Sequence, residues 1–197
     1  MSKGIYKYIM WQIVFNFFAT ELSAQSGITT LLANVTRTSH NVLIAKDVVT
    51  SGHFYFQQPD KICMIFSDNK DMLLMNGSTY IMMENGKKNV AKGKMQELFG
   101  TLQKVLQAVV CQTSLPEVAE NSTIQVKQEG EIIQITPVLD AKAKRRIPFT
   151  SFVITLDAHS HKLKTLRMNE RGENYVLYTL SDYTANSHFN AEVFNAN

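Results

Sequence analysis

Residues 51–66, SGHFYFQQPDKICMIF, carry large apolar side chains on both faces of two consecutive extended stretches. A strand with one solvated face alternates apolar and polar residues, because successive side chains point to opposite sides of the sheet. In the first stretch, aromatic residues fill three consecutive positions, Phe54, Tyr55 and Phe56, and in the second, apolar residues fill positions 62–66. Two explanations are open: protein packs on both faces, or one face is reserved for an apolar ligand.

The residues that follow predict a series of antiparallel strands. The pairs Asn76–Gly77 and Asn85–Gly86 are strong signals for two-residue hairpin loops, in which both residues adopt positive φ. Residues 51–90 are therefore predicted to form an antiparallel meander. Extended patterns resume after Asn121 and end with a short strand at 191–195, which gives roughly ten strands in all.

Two segments have helical periodicity. Residues 28–39 show a modest helical pattern, and residues 94–110 place apolar side chains clearly at helical spacing. The predicted fold class is mainly β with α: a single strongly curved antiparallel sheet, or incomplete β-barrel, with a helical lid. Since one long helix covers the concave face of such a sheet only in part, the remainder is expected to form a cavity.

The first 24 residues have the pattern of a signal peptide. Two lysines precede an apolar stretch at 9–18, and small residues at 22–24 suit a signal peptidase. The apolar stretch is too short and too polar for a membrane-spanning helix. We expect cleavage after Ala24 and a single domain at 25–197; the alternative is an amphipathic first helix packed on the fold.

The charge distribution argues against a nucleic-acid-binding protein. The net charge is only +3, and the one concentrated basic run, residues 142–146, is interpreted as a solvated loop. A nucleic-acid-binding protein normally carries a basic face with interleaved aromatic residues, so no nucleic-acid partner is expected.

The chain has no recognisable catalytic motif. His159 and His161 are the only close histidine pair, and they lie in a predicted hairpin turn without further metal ligands. No metal site, cofactor or enzymatic activity is therefore predicted. Cys63 and Cys111 are interpreted as buried free thiols, although a disulfide between them stays possible in an oxidising compartment.

Apolar residues on the inner face of the sheet and on the long helix are the candidates for a binding site. They are Phe54, Phe56, Ile62, Met64, Phe66, Leu74, Tyr80, Met82, Leu98, Leu102 and Leu106. An error of one position within a strand would exchange the faces. Methionines are frequent in the same region, where their flexible side chains suit either a variable apolar ligand or an ordinary core.

The order of these elements resembles that of LolA-type lipoprotein carriers in their Bacteroidetes-like form, from about Val35 to Phe194. The residues that carry the resemblance are Gly52, Phe54 to Phe56, Pro59, Ile62 to Phe66, Asn76–Gly77, Tyr80, Ile135 to Pro137 and Asn169 to Gly172. The resemblance implies a half-open barrel with a helical lid over a hydrophobic cavity. It also implies a periplasmic, monomeric chaperone without catalytic activity.

The resemblance further implies the partners of the chain. Acylated lipoproteins or lipids would be the cargo, an inner-membrane transporter the donor and an outer-membrane protein the acceptor, with transient membrane contact. Where related carriers place an Arg that hydrogen-bonds to the lid, this chain has Gln58, the candidate lid latch. A neutral amide should hold the lid more weakly than a guanidinium. Two alternatives are a carrier of another acylated lipid and an envelope-complex adaptor whose apolar surface is buried by a protein partner.

Overall fold

The computed structural model describes residues 27–44, 46–66, 70–118 and 123–195, and the predicted signal peptide, residues 1–24, lies outside them. Within these ranges, eleven strands form one open antiparallel sheet. The strands are β1 (Thr30–His40), β2 (Val48–Gln57), β3 (Lys61–Phe66), β4 (Asp71–Asn76), β5 (Thr79–Glu84), β6 (Lys87–Val90), β7 (Ile124–Glu129), β8 (Ile132–Pro137), β9 (Phe149–Leu156), β10 (Leu163–Glu170) and β11 (Tyr175–Ala185). The predicted fold class is confirmed.

The order of strands across the sheet is β6-β5-β4-β3-β2-β1-β11-β10-β9-β8-β7. Strands β1 and β11 lie at the centre of the sheet. Strands β2 to β6 follow in chain order beside β1 and form one arm with it, and strands β10 to β7 follow beside β11 and form the other arm. The long helix α1 (Lys94–Cys111) connects β6 to β7, the strands at the two edges. Because it joins opposite edges, α1 must cross the sheet, and it packs on the concave face.

Helix α1 matches the predicted segment 94–110 to within one residue. It ends at Gln112, whose left-handed conformation, with φ 52°, lets its N–H reach the carbonyls of Ala108 and Val109. No helix in the described part of the chain has both the length and the apolar character needed to cross a bilayer.

The basic run expected to be a loop contains a short helix, α2 (Ala141–Arg146). Asp140 caps it by accepting a hydrogen bond from the N–H of Ala143 at 2.7 Å. The four basic side chains of α2 are exposed, as the prediction of a solvated segment required.

Two secondary-structure predictions were wrong. Residues 28–39, predicted as a helix, lie mostly in β1, where Leu31, Ala33 and Val35 alternate inward at a strand period that a helical pattern can mimic. The last predicted strand is a 3₁₀ turn, Ala191–Phe194. Asn190 caps this turn by accepting from the N–H of Glu192, so the local hydrogen bonding replaces a strand ladder.

The two Asn-Gly loops differ. Asn85 and Gly86 both have positive φ, 51° and 76°, which confirms a two-residue hairpin between β5 and β6. The other loop lies one residue further along than predicted, because Asn76 pairs with Thr79 and leaves Gly77 and Ser78 as the loop. The Asn76 side chain instead donates to the carbonyl of Phe194 at 3.2 Å.

Antiparallel pairing sorts the connections to two ends of the sheet. One end holds the β1–β2 loop, the Asn85–Gly86 turn, α2 and residues 171–174; we call it the mouth end. The opposite end holds the turns at 58–60, 77–78, 130–131 and 157–162; we call it the turn end.

The C-terminal strap, residues 187–195, covers part of the convex face. Phe189, Val193 and Phe194 pack there in a second apolar cluster with Tyr55, Cys63, Ile65, Met72, Leu74 and Ile81. The ring of Phe189 meets Tyr55 edge-on, with centroids 5.2 Å apart. Both faces of β2 and β3 are therefore packed by protein: α1 covers the concave face and the strap covers the convex one.

Gly52 allows the closest approach within the sheet. A Cβ at this position would lie 2.1 Å from the carbonyl oxygen of Ile65 and 2.7 Å from the Phe66 ring. We expect Gly52→Ala to lower the free energy of unfolding by roughly 1–3 kcal/mol, because β2 and β3 must separate to admit the methyl group. Urea titration measures this loss. Gly27→Ala, which meets nothing within 4 Å, should leave the midpoint unchanged, and equal effects would contradict the packing described.

The strap controls access to Cys63, whose pKa burial raises to about 12 from an ordinary value of 9.0. The thiol therefore stays protonated at pH 8 and reacts slowly. We expect Phe194→Ala to open the strap and to accelerate modification of Cys63 by a disulfide reagent by about tenfold or more. Phe149→Ala, which removes an equally buried ring elsewhere, is the control. Equal acceleration in both variants would mean that Cys63 reacts only through global unfolding.

Candidate functional site

The concave face of the sheet is an apolar surface that α1 covers. Ten of the eleven residues predicted to line a binding site lie in this main cluster: Phe54, Phe56, Ile62, Met64, Phe66, Tyr80, Met82, Leu98, Leu102 and Leu106. All are buried except Met82, which is half-buried near the edge of the covered area. The prediction that these side chains converge agrees with the structure, and their role in binding stays a prediction.

Leu74 is the exception, because it lies on the convex face under the C-terminal strap. It pairs with Cys63 and Ile81, both outward-facing, whereas its neighbours Leu73 and Met75 point inward. The hairpin itself contains the signal that places these residues. With a two-residue loop, odd-numbered residues of β4 pair with even-numbered residues of β5. Met75 therefore pairs with Tyr80 and lies on its face of the sheet, and Leu74 lies on the opposite face.

Cross-strand register arranges the inward side chains in two rows. In the first row, Phe54 pairs with Met64, Met64 with Leu73, and Leu73 with Met82. The second row, nearer the turn end, is formed in the same way by Phe56, Ile62, Met75 and Tyr80. Since each row spans four strands, this arm presents a continuous apolar wall to α1.

The other arm contributes residues that sequence reasoning missed, among them Phe149, Phe152, Ile154, Leu166, Met168 and Tyr178. Phe99 of α1 contacts both arms, with ring centroids 6.4 Å from Tyr80, 5.5 Å from Phe152 and 5.9 Å from Phe149. In β10, Leu166 and Met168 alternate with the polar Arg167 and Asn169, and this pattern could have identified the inner face of that strand from sequence.

A buried glutamine fixes the middle of α1 to the sheet. Gln103 is only 4% exposed, and its Oε1 accepts a hydrogen bond from the Tyr80 hydroxyl at 3.1 Å. Its Nε2 donates to the carbonyl of Asp60 in the β2–β3 turn. Burial, together with the nearby Asp60 carboxylate, raises the pKa of Tyr80, so its hydroxyl keeps the proton that it donates. Sequence reasoning missed Gln103, although a lone amide within the apolar face of a helix was a visible signal.

Gln58 contacts the C-terminal end of α1. Its Nε2 donates to the carbonyl of Ile28 at 2.7 Å and lies 3.4 Å from the sulfur of Cys111, the last residue of α1. The predicted latch residue therefore touches the lid. Gln58 and Asp60 thus attach the β2–β3 turn to α1 at two points, while Gln96 near the start of the helix donates to the carbonyl of Ser78 at 3.1 Å.

An open cavity of about 340 Å³ remains at the mouth end, beside the start of α1. Its apolar walls on the concave side are Phe66, Met82, Met95, Phe149 and Tyr178, and Met72 and Met83, which belong to the convex face, border it at the edge of the sheet. Unbranched thioether side chains adjust to ligands of irregular shape. This cavity is the part of the concave face that α1 leaves unfilled.

A charged cluster borders the same cavity. Arg37 pairs with Asp71 at 2.8 Å and with Glu84 at 3.1 Å, and Glu170 lies in the cavity wall. Burial, followed by repulsion from Glu84, raises the pKa of Glu170. The mouth thus joins an apolar interior to a polar, mainly acidic rim.

Among the described residues, no group of three His, Cys, Asp or Glu side chains is placed to hold a metal ion. His159 and His161 are exposed in a turn organised by Asp157, whose pKa falls to about 2 because it accepts hydrogen bonds from Ser160 and His159. Cys63 and Cys111 are buried thiols that are not joined in a disulfide, as predicted.

Comparison with known proteins assigns the family. The model of the family described as "Outer membrane lipoprotein carrier protein LolA" matches residues 26–197. The chain belongs to the LolA family. This is a family of binding and carrier proteins rather than of enzymes, and its members are periplasmic or exported. The match does not distinguish the Bacteroidetes-like form, which stays an expectation.

Solved structures with similar folds have little sequence identity to this LolA-family chain. A putative outer membrane lipoprotein-sorting protein domain from Vibrio parahaemolyticus is 8% identical, with a TM-score of 0.44, covering 87% of this chain and 91% of that one. A LolA-superfamily protein from Nitrosomonas europaea is 6% identical, with a TM-score of 0.37 and coverages of 86% and 91%. A search of curated protein sequences found no significant match.

Gln103→Leu tests the polar attachment of the lid. The variant leaves the Tyr80 hydroxyl and the Asp60 carbonyl without their partner, so we expect a loss of roughly 1–3 kcal/mol in the free energy of unfolding. Looser packing of α1 should also increase the fluorescence of an apolar dye.

Gln107→Leu, the same change on a half-buried position of α1, is the matched control and should behave like the unmodified protein. If both variants have the same unfolding midpoint and dye fluorescence, Gln103 does not attach the lid.

Proposed function

We propose that this protein is a periplasmic carrier that shields the acyl chains of lipoproteins, with α1 as the lid of its binding site. The observation that carries the proposal is the continuous apolar concave face covered by one helix, with a largely apolar opening beside it. The lid joins the two edges of the sheet, so it can move away from the concave face without separating any pair of strands.

The energies of lid and cargo support reversible exchange. Six side chains of α1 are buried against the sheet: Leu98, Phe99, Leu102, Val105, Leu106 and Val109. At about 2 kcal/mol for each side chain, uncovering them costs about 12 kcal/mol. An acyl chain of about fifteen methylenes regains about 12 kcal/mol, at ~0.8 kcal/mol for each methylene. The free energy lost when the helix leaves the concave face is therefore close to the free energy gained when one acyl chain takes its place.

The polar contacts of the lid suit such an exchange. Gln58 and Gln103 hold α1 through uncharged amides, and each hydrogen bond contributes about 1 kcal/mol net. Charged latches would hold the closed state more tightly. The lid is thus attached specifically enough to close in one position and weakly enough to open when cargo enters.

The transfer cycle follows from the same proposal. The chain would be exported by its N-terminal signal peptide, receive lipoproteins from an inner-membrane transporter and release them to an outer-membrane acceptor. It would act as a monomer, since the apolar faces of its sheet are covered by its own helix and strap. No chemical step is required, because transfer only exchanges one apolar cover for another.

Co-purification tests the cargo. The protein is expressed with its export signal in a bacterium that makes lipoproteins, and bound molecules are identified by mass spectrometry. We expect acylated lipoproteins and displacement of a fluorescent fatty acid. Recovery of another acylated lipid would change the cargo but keep the carrier. A protein that binds no acyl compound, and is stable only with a protein partner, would be the envelope-complex adaptor.

Met82→Gln tests the cavity as the acyl entrance. Met82 is half-buried in the cavity wall, and a polar amide there would contact the acyl chain. We expect the affinity for a fluorescent fatty acid to fall by about fivefold or more, which corresponds to about 1 kcal/mol. Ile132→Gln, at the turn end and 49% exposed, should bind normally. Equal affinities in all three proteins would exclude this entrance.

A further inference from the structure

Basic residues concentrate on β6, around the start of α1 and on α2, next to the mouth cavity. Segments 87–97 and 140–146 contain eight lysine and arginine residues and two carboxylates, so they carry a charge of +6, whereas the whole chain carries +3. Both carboxylates have local partners: Glu97 pairs with Lys94 at 3.0 Å, and Asp140 caps α2. The remaining cationic side chains make this part of the surface strongly positive, whereas Asp71, Glu84 and Glu170 lie with Arg37 in the wall of the mouth cavity itself.

The two basic segments meet beside the mouth cavity. Lys92, Lys94, Lys142 and Arg146 line one shallow surface cavity of about 270 Å³ together with Met95. Met95 also lines the larger mouth cavity. The positive surface, which we call the basic rim, therefore adjoins the opening through which cargo is proposed to pass.

An apolar loop projects from the same end. Five of the eight large apolar residues that are exposed in the described part of the chain lie at the β1–β2 connection: Val42, Leu43, Ile44, Val48 and Val49. Leu43 is 90% exposed. Soluble proteins rarely expose clustered aliphatic side chains without a binding partner. We call these five residues the apolar loop.

The loop has a defined shape behind its apolar tip. The N–H of Val42 donates to the side chain of Asn174 at 3.0 Å, and the N–H of Leu43 donates to Asn41 Oδ1 at 2.9 Å. His40 stacks on Tyr175, with ring centroids 4.7 Å apart. These contacts, with His40 paired to Asp47 at 2.7 Å, hold the connection in one shape, while its aliphatic side chains and those of Val48 and Val49 at the start of β2 are exposed.

We propose that the mouth end docks on an anionic lipid membrane, with the apolar loop inserted among the acyl chains and the basic rim on the headgroups. The proposal rests on the proposed carrier function and names the surface that the carrier meets. A projecting aliphatic tip flanked by cations matches the layered chemistry of such a membrane, acyl chains behind negative headgroups. A protein partner would instead have to supply both an apolar pocket and an acidic face.

Docking in this orientation would place the cargo opening against the bilayer. Arg37 of β1 lines the mouth cavity three residues before the end of its strand, and Met95 links that cavity to the basic rim. The cavity therefore lies between the two elements proposed to contact lipid. An acyl chain could leave the bilayer for the concave face with little exposure to water.

Vesicle flotation tests the proposal with the full chain after signal cleavage. Vesicles of phosphatidylcholine with phosphatidylglycerol are compared with vesicles of phosphatidylcholine alone, at low and high salt. We expect binding only to the anionic vesicles and its loss at high salt. Replacing Lys142, Lys144 and Arg145 by Gln should weaken binding at least tenfold, since each charge near the surface contributes about 1 kcal/mol. Leu43→Gln should weaken it several-fold.

The matched control variants carry substitutions away from the basic rim and the apolar loop. Replacing Lys127, Lys162 and Lys164 by Gln removes the same charge elsewhere, and Ile132→Gln removes an exposed aliphatic side chain at the turn end; both should float normally. Leu43→Gln should keep full affinity for a fluorescent fatty acid, and Met82→Gln should keep full vesicle binding.

The two proposals fail in distinguishable ways. If the unmodified chain binds fatty acid but not anionic vesicles, membrane docking is overturned and the carrier function stands. Equal vesicle binding by all the variants would also overturn docking at the mouth end. If the chain binds no acyl probe under any condition, the carrier function fails, whatever the vesicles show.

Discussion

The packing of α1 into the concave face is the interaction on which the rest of the structure depends. An open sheet of eleven strands has a large apolar hollow, and the only long helix in the described part of the chain fills most of it. Phe99 contacts both arms of the sheet through Tyr80 and Phe152. Without this helix, the apolar surface of both arms would face water, and with an acyl chain in its place the same surface would again be covered. The helix is thus both the core of the closed protein and the competitor of its proposed cargo.

The opposite face of the sheet explains why one side can be kept for cargo. The C-terminal strap covers Cys63, Leu74 and Ile81 and forms a small core of its own with them. Because β2 and β3 are packed from the convex side, they would keep their shape if α1 moved away as proposed. The lid requires more specific attachment than the strap, and the polar contacts of Gln58 and Gln103 supply it. Both residues act through the β2–β3 turn, so this short turn would position α1 each time the proposed lid closes.

Much of this arrangement could be predicted from the sequence, and the failures have physical causes. The Asn85–Gly86 turn and α1 were predictable because turn chemistry and helical periodicity act locally. Leu74 was misplaced because three consecutive apolar residues hide the parity of a strand, and only the pairing across the hairpin reveals it. The strap was predicted as a strand because its apolar residues pack on the sheet face, which no local pattern shows. Gln103 was overlooked because its hydrogen-bond partners, Tyr80 and Asp60, are distant in the sequence.

The central claim is that α1 and an acyl chain exclude each other from the concave face. Pulsed electron resonance between spin labels at Lys104→Cys on α1 and Lys164→Cys on β10, both exposed positions, measures the distance between lid and sheet directly. The unmodified chain, whose thiols are buried, gives the labelling background. The account predicts one short, narrow distance in the empty protein and a longer, broader distribution when a saturating fatty acid or lipoprotein is bound. An unchanged distance in a protein that binds its acyl ligand stoichiometrically would contradict it.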